Sequence, residues 1–237
     1  MGRAYEVRKA SIQKTGAAKA KLYSMYAREI YQAAKNGGVE LESNPMLKRL
    51  VERAKKEQVP SDIINRAIDT VNSGVDESYQ SVRYELFGPG GSTVLVDCLT
   101  DNVNRSVSNI RAVLNKTNSK MGVSGSVAFN YDNICIVSFA GLTTEQVMDS
   151  LIEKNIDVID IIEDDLITVY GNPQDLFQIK EAILSINPKI EFETDEITMV
   201  PKDTITLTGE DKENFDKLTT MLEEIDDVKN IYHNVEV

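Results

Sequence analysis

The chain has 237 residues, 26 Lys/Arg against 38 Asp/Glu for a net charge of −12, and 41% hydrophobic residues. That apolar content supports two or three cores at about 100–200 residues per domain. No run approaches the roughly 18 apolar residues of a membrane span, and MGRAYEV lacks the apolar stretch of a secretion signal, so a cytoplasmic protein is expected.

The charge is unevenly divided. Residues 1–75 carry 14 Lys/Arg against 8 Asp/Glu and residues 76–132 carry 5 against 6. Residues 133–202 carry 4 against 14, and residues 203–237 carry 3 against 10. A basic head on an acidic body predicts that the head meets an anionic polymer while the body stays clear of it.

In chain order, residues 1–20 have no sustained apolar period and read as a basic arm bearing Lys9, Lys14 and Lys19. A helix is predicted over 21–35, with Leu22, Met25, Tyr26, Ile30 and Ala33 on one face and Asn36-Gly37-Gly38 as its stop. It carries Lys21 and Arg28. Ser43-Asn44-Pro45 opens a second helix, with Leu47, Leu50, Val51 and Ala54 inward and Lys48, Arg49, Arg53, Lys55 and Lys56 on the other face. Pro60 opens a third, burying Ile63, Ile64, Ala67, Ile68 and Val71. A basic helix face is often only a solvated one. The basic arm beside it makes Lys9, Lys14, Lys19, Lys21, Arg28, Lys48, Arg49, Arg53, Lys55 and Lys56 the candidate nucleic-acid contacts.

Gly88-Pro89-Gly90-Gly91 follows a strand-like run at 84–87 and precedes another at 93–99. A phosphate-cradling loop follows a strand and opens a helix, so these residues are expected to turn the chain instead. The helix after them has Val103, Val107, Ile110 and Leu114 on one face, and Asp101 or Asn102 as its cap. Asn104, Arg105 and Arg111 lie opposite that apolar stripe. With the glycine turn expected near enough to share a surface with them, Asn104 and Arg105 join the candidate contacts.

Strand 134–139, a capping box at Thr143-Thr-Glu-Gln146 opening a helix, strands 156–162 and 166–170, a helix capped by Asn172-Pro173, and a strand around Ile190 and Phe192 form βαββαβ. The flanks suggest the same order, with strands 93–99, 126–131, 204–208 and 228–237 around two helices and 84–87 as an extra strand. The expected fold is α+β: an N-terminal three-helix bundle in residues 1–77, then two ferredoxin-like units. One comprises 78–132 plus 203–237, and the other, 133–202, is inserted into it. Cys98 and Cys135 stand singly in apolar runs and predict buried thiols, not a disulfide or metal site.

The blocks GGVELESNPMLKRLVERAKKEQVPSDIINRAI, YELFGPGG, CLTDNVNRSVSNIR and GVSGSVAF resemble the signature stretches of the YebC/PmpR family, in order over nearly the whole chain. The opening, MGRAYEVRKASIQKTGAAKAKLYSMYAREIY, is similar to the YeeN-type branch, with Tyr5 where Trp is usual and fewer basic and His residues around it. The resemblance implies a cytoplasmic three-domain regulator of transcription that binds DNA, and for some family members action on ribosomes. No helix-turn-helix, zinc finger or RNA-recognition aromatic motif is present to read bases. His233, the single histidine, leaves no triad or Cys–His dyad to assemble, and Glu163-Asp164-Asp165 reads as a solvated turn. No enzyme activity, cofactor, metal, membrane partner or small-molecule substrate is expected. A translation factor on ribosomal RNA is the first alternative, and a small-molecule sensor the weaker one.

Overall fold

The computed structural model describes residues 16–74 and 78–236. Three helices come first: α1 (Gly16–Gly37), α2 (Pro45–Lys56) and α3 (Ser61–Asn72). α1 begins before the predicted position, so that Lys19 is helical as well as Lys21. Asn44 joins the first two helices. Its Oδ1 accepts from Leu47 N at 3.1 Å as the cap of α2, and its Nδ2 donates to Ala33 O at 2.9 Å and Gly38 O at 2.7 Å. A Cβ on Gly37 would lie 2.7 Å from that amide, and Gly38 turns away at φ +90°. The glycine pair and the asparagine thus form one joint. Tyr26, Ile30, Leu47, Leu50, Val51, Ile64 and Ala67 bury their side chains together.

The chain then divides into two compact units, one comprising Met1–Ala128 with Thr204–Val237 and the other Phe129–Asp203. Beyond the helices, the first unit contains β1 (Gln80–Phe87), β2 (Thr93–Thr100), α4 (Val103–Lys116), β3 (Lys120–Met121), α7 (Gly209–Glu223) and β8 (Val228–His233). The second contains β4 (Tyr131–Phe139), α5 (Thr144–Glu153), β5 (Val158–Glu163), β6 (Ile167–Gly171), α6 (Leu176–Ile186) and β7 (Phe192–Pro201). Each holds a four-stranded antiparallel sheet, in the order β3-β1-β2-β8 in the first and β5-β6-β4-β7 in the second.

The class and architecture agree with the sequence reading, and the second unit runs βαββαβ element by element. The Thr143–Gln146 capping box forms in full. Asn172 makes no cap bond to the backbone; its amide donates to Asp175 instead. Cys135, Val137, Phe139, Val147, Leu151, Val169, Leu176, Ile179 and Ile183 fill this core. Burial pushes the Cys135 thiol up to about 11 and the Cys98 thiol to about 12, the values of inert packing groups.

The first unit departs from the expected strand list. Residues 126–130 form a turn and a short 3-10 segment, and 204–208 contributes only the bridge Ile205–Val235. The sheet is completed instead by β1, which pairs with β2 from Gln80–Thr100 to Phe87–Thr93. The reason lies in Glu85. Its buried carboxylate accepts from the backbone N–H groups of Gly125 (2.6 Å), Val127 (2.6 Å) and Ala128 (2.8 Å), so those donors serve a side chain and not a ladder. Burial alone would raise the Glu85 carboxyl, but these three bonds outweigh it and hold it below its ordinary range.

Two outcomes follow from this arrangement. Residues 129–203 expressed alone are expected to melt in one cooperative transition, since their core draws on no residue outside them; a broad melt in calorimetry would count against independent folding. Glu85→Gln is expected to cost about 1–3 kcal/mol by denaturant titration at pH 7. Because the folded carboxyl titrates low, that stabilisation is present above the ordinary carboxyl pKa and is lost as pH falls through the folded value. The gap between variant and parent therefore closes in acid.

Candidate nucleic-acid interface

The candidate residues separate into an exposed basic face and an internal ion-pair cluster. On α2, Lys48, Lys55 and Lys56 are exposed and Arg53 is half-buried. Arg53, Lys55 and Lys56 occupy the last turn, where the helix dipole favours cations, so they stabilise α2 as well as charging its surface. Lys48 pairs with Glu42 at 3.2 Å across two exposed side chains, a contact worth about 0.2–1 kcal/mol that a phosphate can displace. Lys19 is exposed on α1. Lys9 and Lys14 lie outside the described residues. Arg49 adds little to the exposed face: only 8% of it is exposed, and its Nη2 reaches Met46 Sδ at 3.9 Å.

Arg28 and Arg105 both bond Asp227 in this structure. Arg105 donates to it from Nε at 3.1 Å and from Nη2 at 2.7 Å, and reaches Asp101 at 2.7 Å. Arg28 donates from Nη1 to Asp227 at 3.2 Å and to Leu99 O at 3.1 Å. Ser106 Oγ adds a bond at 2.8 Å. Asp227 is 1% exposed. Burial would raise its carboxyl, but the Arg105 and Ser106 bonds and the charge of Arg105 outweigh it and hold it below the ordinary range. The guanidinium of Arg105 is correspondingly held in its charged form.

Lys21 likewise turns inward. Its ammonium donates to the carbonyl of Glu223, and burial lowers its pKa against the pull of Asp226 and Glu223. A groove of about 620 Å³ beside the cluster is lined by Arg28, Arg105, Asn109, Met221, Glu224 and Asp226, among others. Its carboxylates outnumber its guanidinium groups once Asp101 and Asp227 are included. With Arg28 held on Asp227, the groove itself is a poor seat for phosphate.

The helix after β2 is capped by Asn102, whose Oδ1 accepts from Arg105 N at 3.0 Å; Asp101 pairs with the Arg105 side chain instead. Asn104 and Arg111 are exposed. Gly88, Pro89, Gly90 and Gly91 do not share their surface. The turn lies at the start of β2 and Arg105 beyond its end, about 23 Å apart at roughly 3.3 Å per residue. Gly90 at φ +61° packs instead against Leu207 and the first turn of α7, where a Cβ would lie 2.6 Å from Leu207 Cδ2 and 3.0 Å from Asp211 Oδ2. His233 stacks edge-on against Phe215 at 5.1 Å, and burial lowers its pKa, as expected of a packing residue.

Sequence reasoning missed Asp227 because it closes the acidic run Glu223-Glu224-Ile225-Asp226-Asp227, in which nothing marks one carboxylate as buried. A weak signal was the preceding Ile225, an apolar residue that places the chain at the core edge.

A three-helix head with an exposed basic face on α2, followed in the chain by two antiparallel α/β sheets, defines the class of protein. The family comparison then gives a specific assignment. Residues 3–74 match the TACO1/YebC protein N-terminal domain and residues 79–235 the TACO1/YebC second and third domain, so the chain belongs to the TACO1/YebC family. It is 46% identical over 238 aligned positions to a "Probable transcriptional regulatory protein" of Pseudoalteromonas atlantica, covering 100% of this chain and 98% of that one. It is also 46% identical to one of the same name from Marinobacter nauticus, covering 100% and 99%. The crystal structure of a conserved hypothetical protein from Aquifex aeolicus matches with a TM-score of 0.76 at 31% identity, over 94% of this chain and 92% of that one.

Arg105→Ala is expected to lower the unfolding free energy by about 1–3 kcal/mol. This is less than the loss of a fully buried pair, because Arg105 is 43% exposed and Arg28 and Ser106 remain on Asp227. Since the Asp227 carboxyl is depressed, the stabilisation is present above about pH 3.9 and is lost as pH falls through its folded value. Urea titrations at pH 7 and pH 3 should show a large difference between variant and parent at the first and a small one at the second.

Proposed function

We propose that this protein is a nucleic-acid-binding regulator of gene expression, acting in the cytoplasm without catalysis, and that its leading role is DNA-binding control of transcription. The observation that carries the reading is the exposed basic face of α2, with Lys48, Lys55 and Lys56 outward and Arg53 beside them. Relatives 46% identical over their full length and named regulators of transcription support it. Phosphate contacts of this kind position a protein on nucleic acid without reading sequence.

Ribosomal RNA is the second reading, favoured by the acidic body. Residues 133–202 carry 4 Lys/Arg against 14 Asp/Glu, a surface that a long duplex would avoid but that a local contact through the head tolerates. No helix among the described residues is long and apolar enough to cross a membrane.

The triple change Lys48→Gln, Lys55→Gln and Lys56→Gln is expected to leave the melting temperature nearly unchanged. It should flatten the log–log salt dependence of binding by roughly 0.7–0.9 per lost phosphate contact. Fluorescence anisotropy with a labelled DNA duplex and a labelled ribosomal RNA fragment measures this and ranks the two targets. An unchanged slope on both would remove α2 from the interface.

A further inference from the structure

The head and the α/β part of its unit do not share a core. The bundle's buried cluster includes Tyr26, Ile30, Leu47, Leu50, Val51 and Ile64, whereas that of the sheet and its helices includes Val94, Val96, Ile110, Phe215, Leu218 and Leu222. No buried residue belongs to both. The two meet along a stripe of α1 formed by Lys21, Met25 and Arg28, spaced four and three residues apart so that they share a helix face.

Met25 is buried on that stripe and Tyr31 packs edge-on against Tyr79 at 5.9 Å, while the hydrogen bonds across the junction are charge-borne. Lys21 donates to Glu223 O, while Arg28 Nη1 donates to Leu99 O at 3.1 Å and to Asp227 at 3.2 Å. Lys229 pairs with Glu29 at 3.1 Å. The Arg28 guanidinium also lies 5.7 Å from the centroid of the Tyr79 ring. Bodies joined by ion pairs, each with its own core, can part at a cost far below global unfolding.

We propose that Arg28 and Asp227 form a latch between the helical head and the α/β part of its unit, and that nucleic-acid phosphates open the latch by competing for Arg28. The proposal rests on the nucleic-acid reading above and adds a conformational step to it. Opening leaves no buried charge stranded, because Asp227 keeps Arg105 at 2.7 Å and Ser106 at 2.8 Å when Arg28 leaves. Arg28 exchanges one carboxylate oxygen and the carbonyls of Leu99 and Asp226 for a phosphate able to take its planar fork at two oxygens. Lys21, which burial disfavours in the docked state, regains water or a phosphate in the same movement. The head could then follow a polyanion while the acidic body stays away from it.

The test uses the full chain with spin labels at Glu52→Cys and Asn115→Cys, exposed positions on α2 and α4. Cys98 and Cys135 are buried and escape labelling. Double electron–electron resonance at low salt should give one narrow distance for the labelled parent. It should give a distribution at least about twice as broad after Arg28→Gln or after saturation with a DNA duplex of about 20 base pairs. Anisotropy on the same samples reports whether the duplex is bound, and circular dichroism whether each variant is folded. If Arg28→Gln fails to fold, the pair Glu29→Gln and Lys229→Gln replaces it, with the same broadening expected. A narrow distance in a folded variant overturns the latch. A bound duplex with an unchanged distance overturns opening by phosphate and leaves the nucleic-acid reading intact, whereas absence of binding to both the duplex and a ribosomal RNA fragment overturns that reading and the opening together.

Discussion

A carboxylate sealed from water with two guanidinium groups and a hydroxyl is the constraint around which the first unit is arranged. Asp227 lies between the end of α7 and the start of β8, and it gathers Arg28 from α1, Arg105 and Ser106 from α4, and through Arg28 the end of β2. An ion this buried is tolerated only when its lone pairs are filled, and here those partners come from distant parts of the chain. The hub therefore fixes α4 against the α7–β8 connection more sharply than apolar packing alone, which is non-directional, and holds α1 to them while Arg28 stays docked.

The second such device is Glu85. Its carboxylate gathers the amides of the Gly125–Ala128 loop, and Gly122 donates to Glu85 O at 2.7 Å. Gly122 is required by close approach, since a Cβ there would lie 2.3 Å from Ser126 Oγ and 3.0 Å from the Phe87 ring. Two of the most distinctive blocks of the sequence, YELFGPGG and GVSGSVAF, thus hold each other in place. Their specificity reflects a buried carboxylate and its backbone cradle, while the glycine turn between β1 and β2 packs against α7.

These two sites redistribute the functional weight of the positive charges. Of the cations on the first three helices, Arg28 and Lys21 are turned to the protein and Arg49 is inside it. Lys48, Lys55 and Lys56 remain outward with Arg53 at their edge. Lys19, Lys35 and Arg66 are exposed as well, so the outward positive charge is smaller than the count of basic residues implies and densest on α2. On the proposed reading, repulsion from the acidic remainder would limit phosphate contact to the head, within a Debye length of about 8–10 Å at moderate salt.

The sequence by itself determined the helices of the bundle, the six elements of the second unit, both buried cysteines and the segregation of charge. All of these rest on local periodicity, capping chemistry or composition, which neighbouring residues encode. The role of each charged side chain was decided by the tertiary structure. Arg49 and Lys48 are adjacent, yet one is buried and the other exposed; Arg105 and Arg111 share a helix, yet Arg105 pairs with Asp227. Likewise Ser126–Asn130 has a strand-like composition, but a carboxylate some forty residues earlier takes its amides. The physical reason is the same in each case: an ion pair or a carboxylate cradle joins groups distant in the chain, and its energy depends on burial and geometry that no local pattern records.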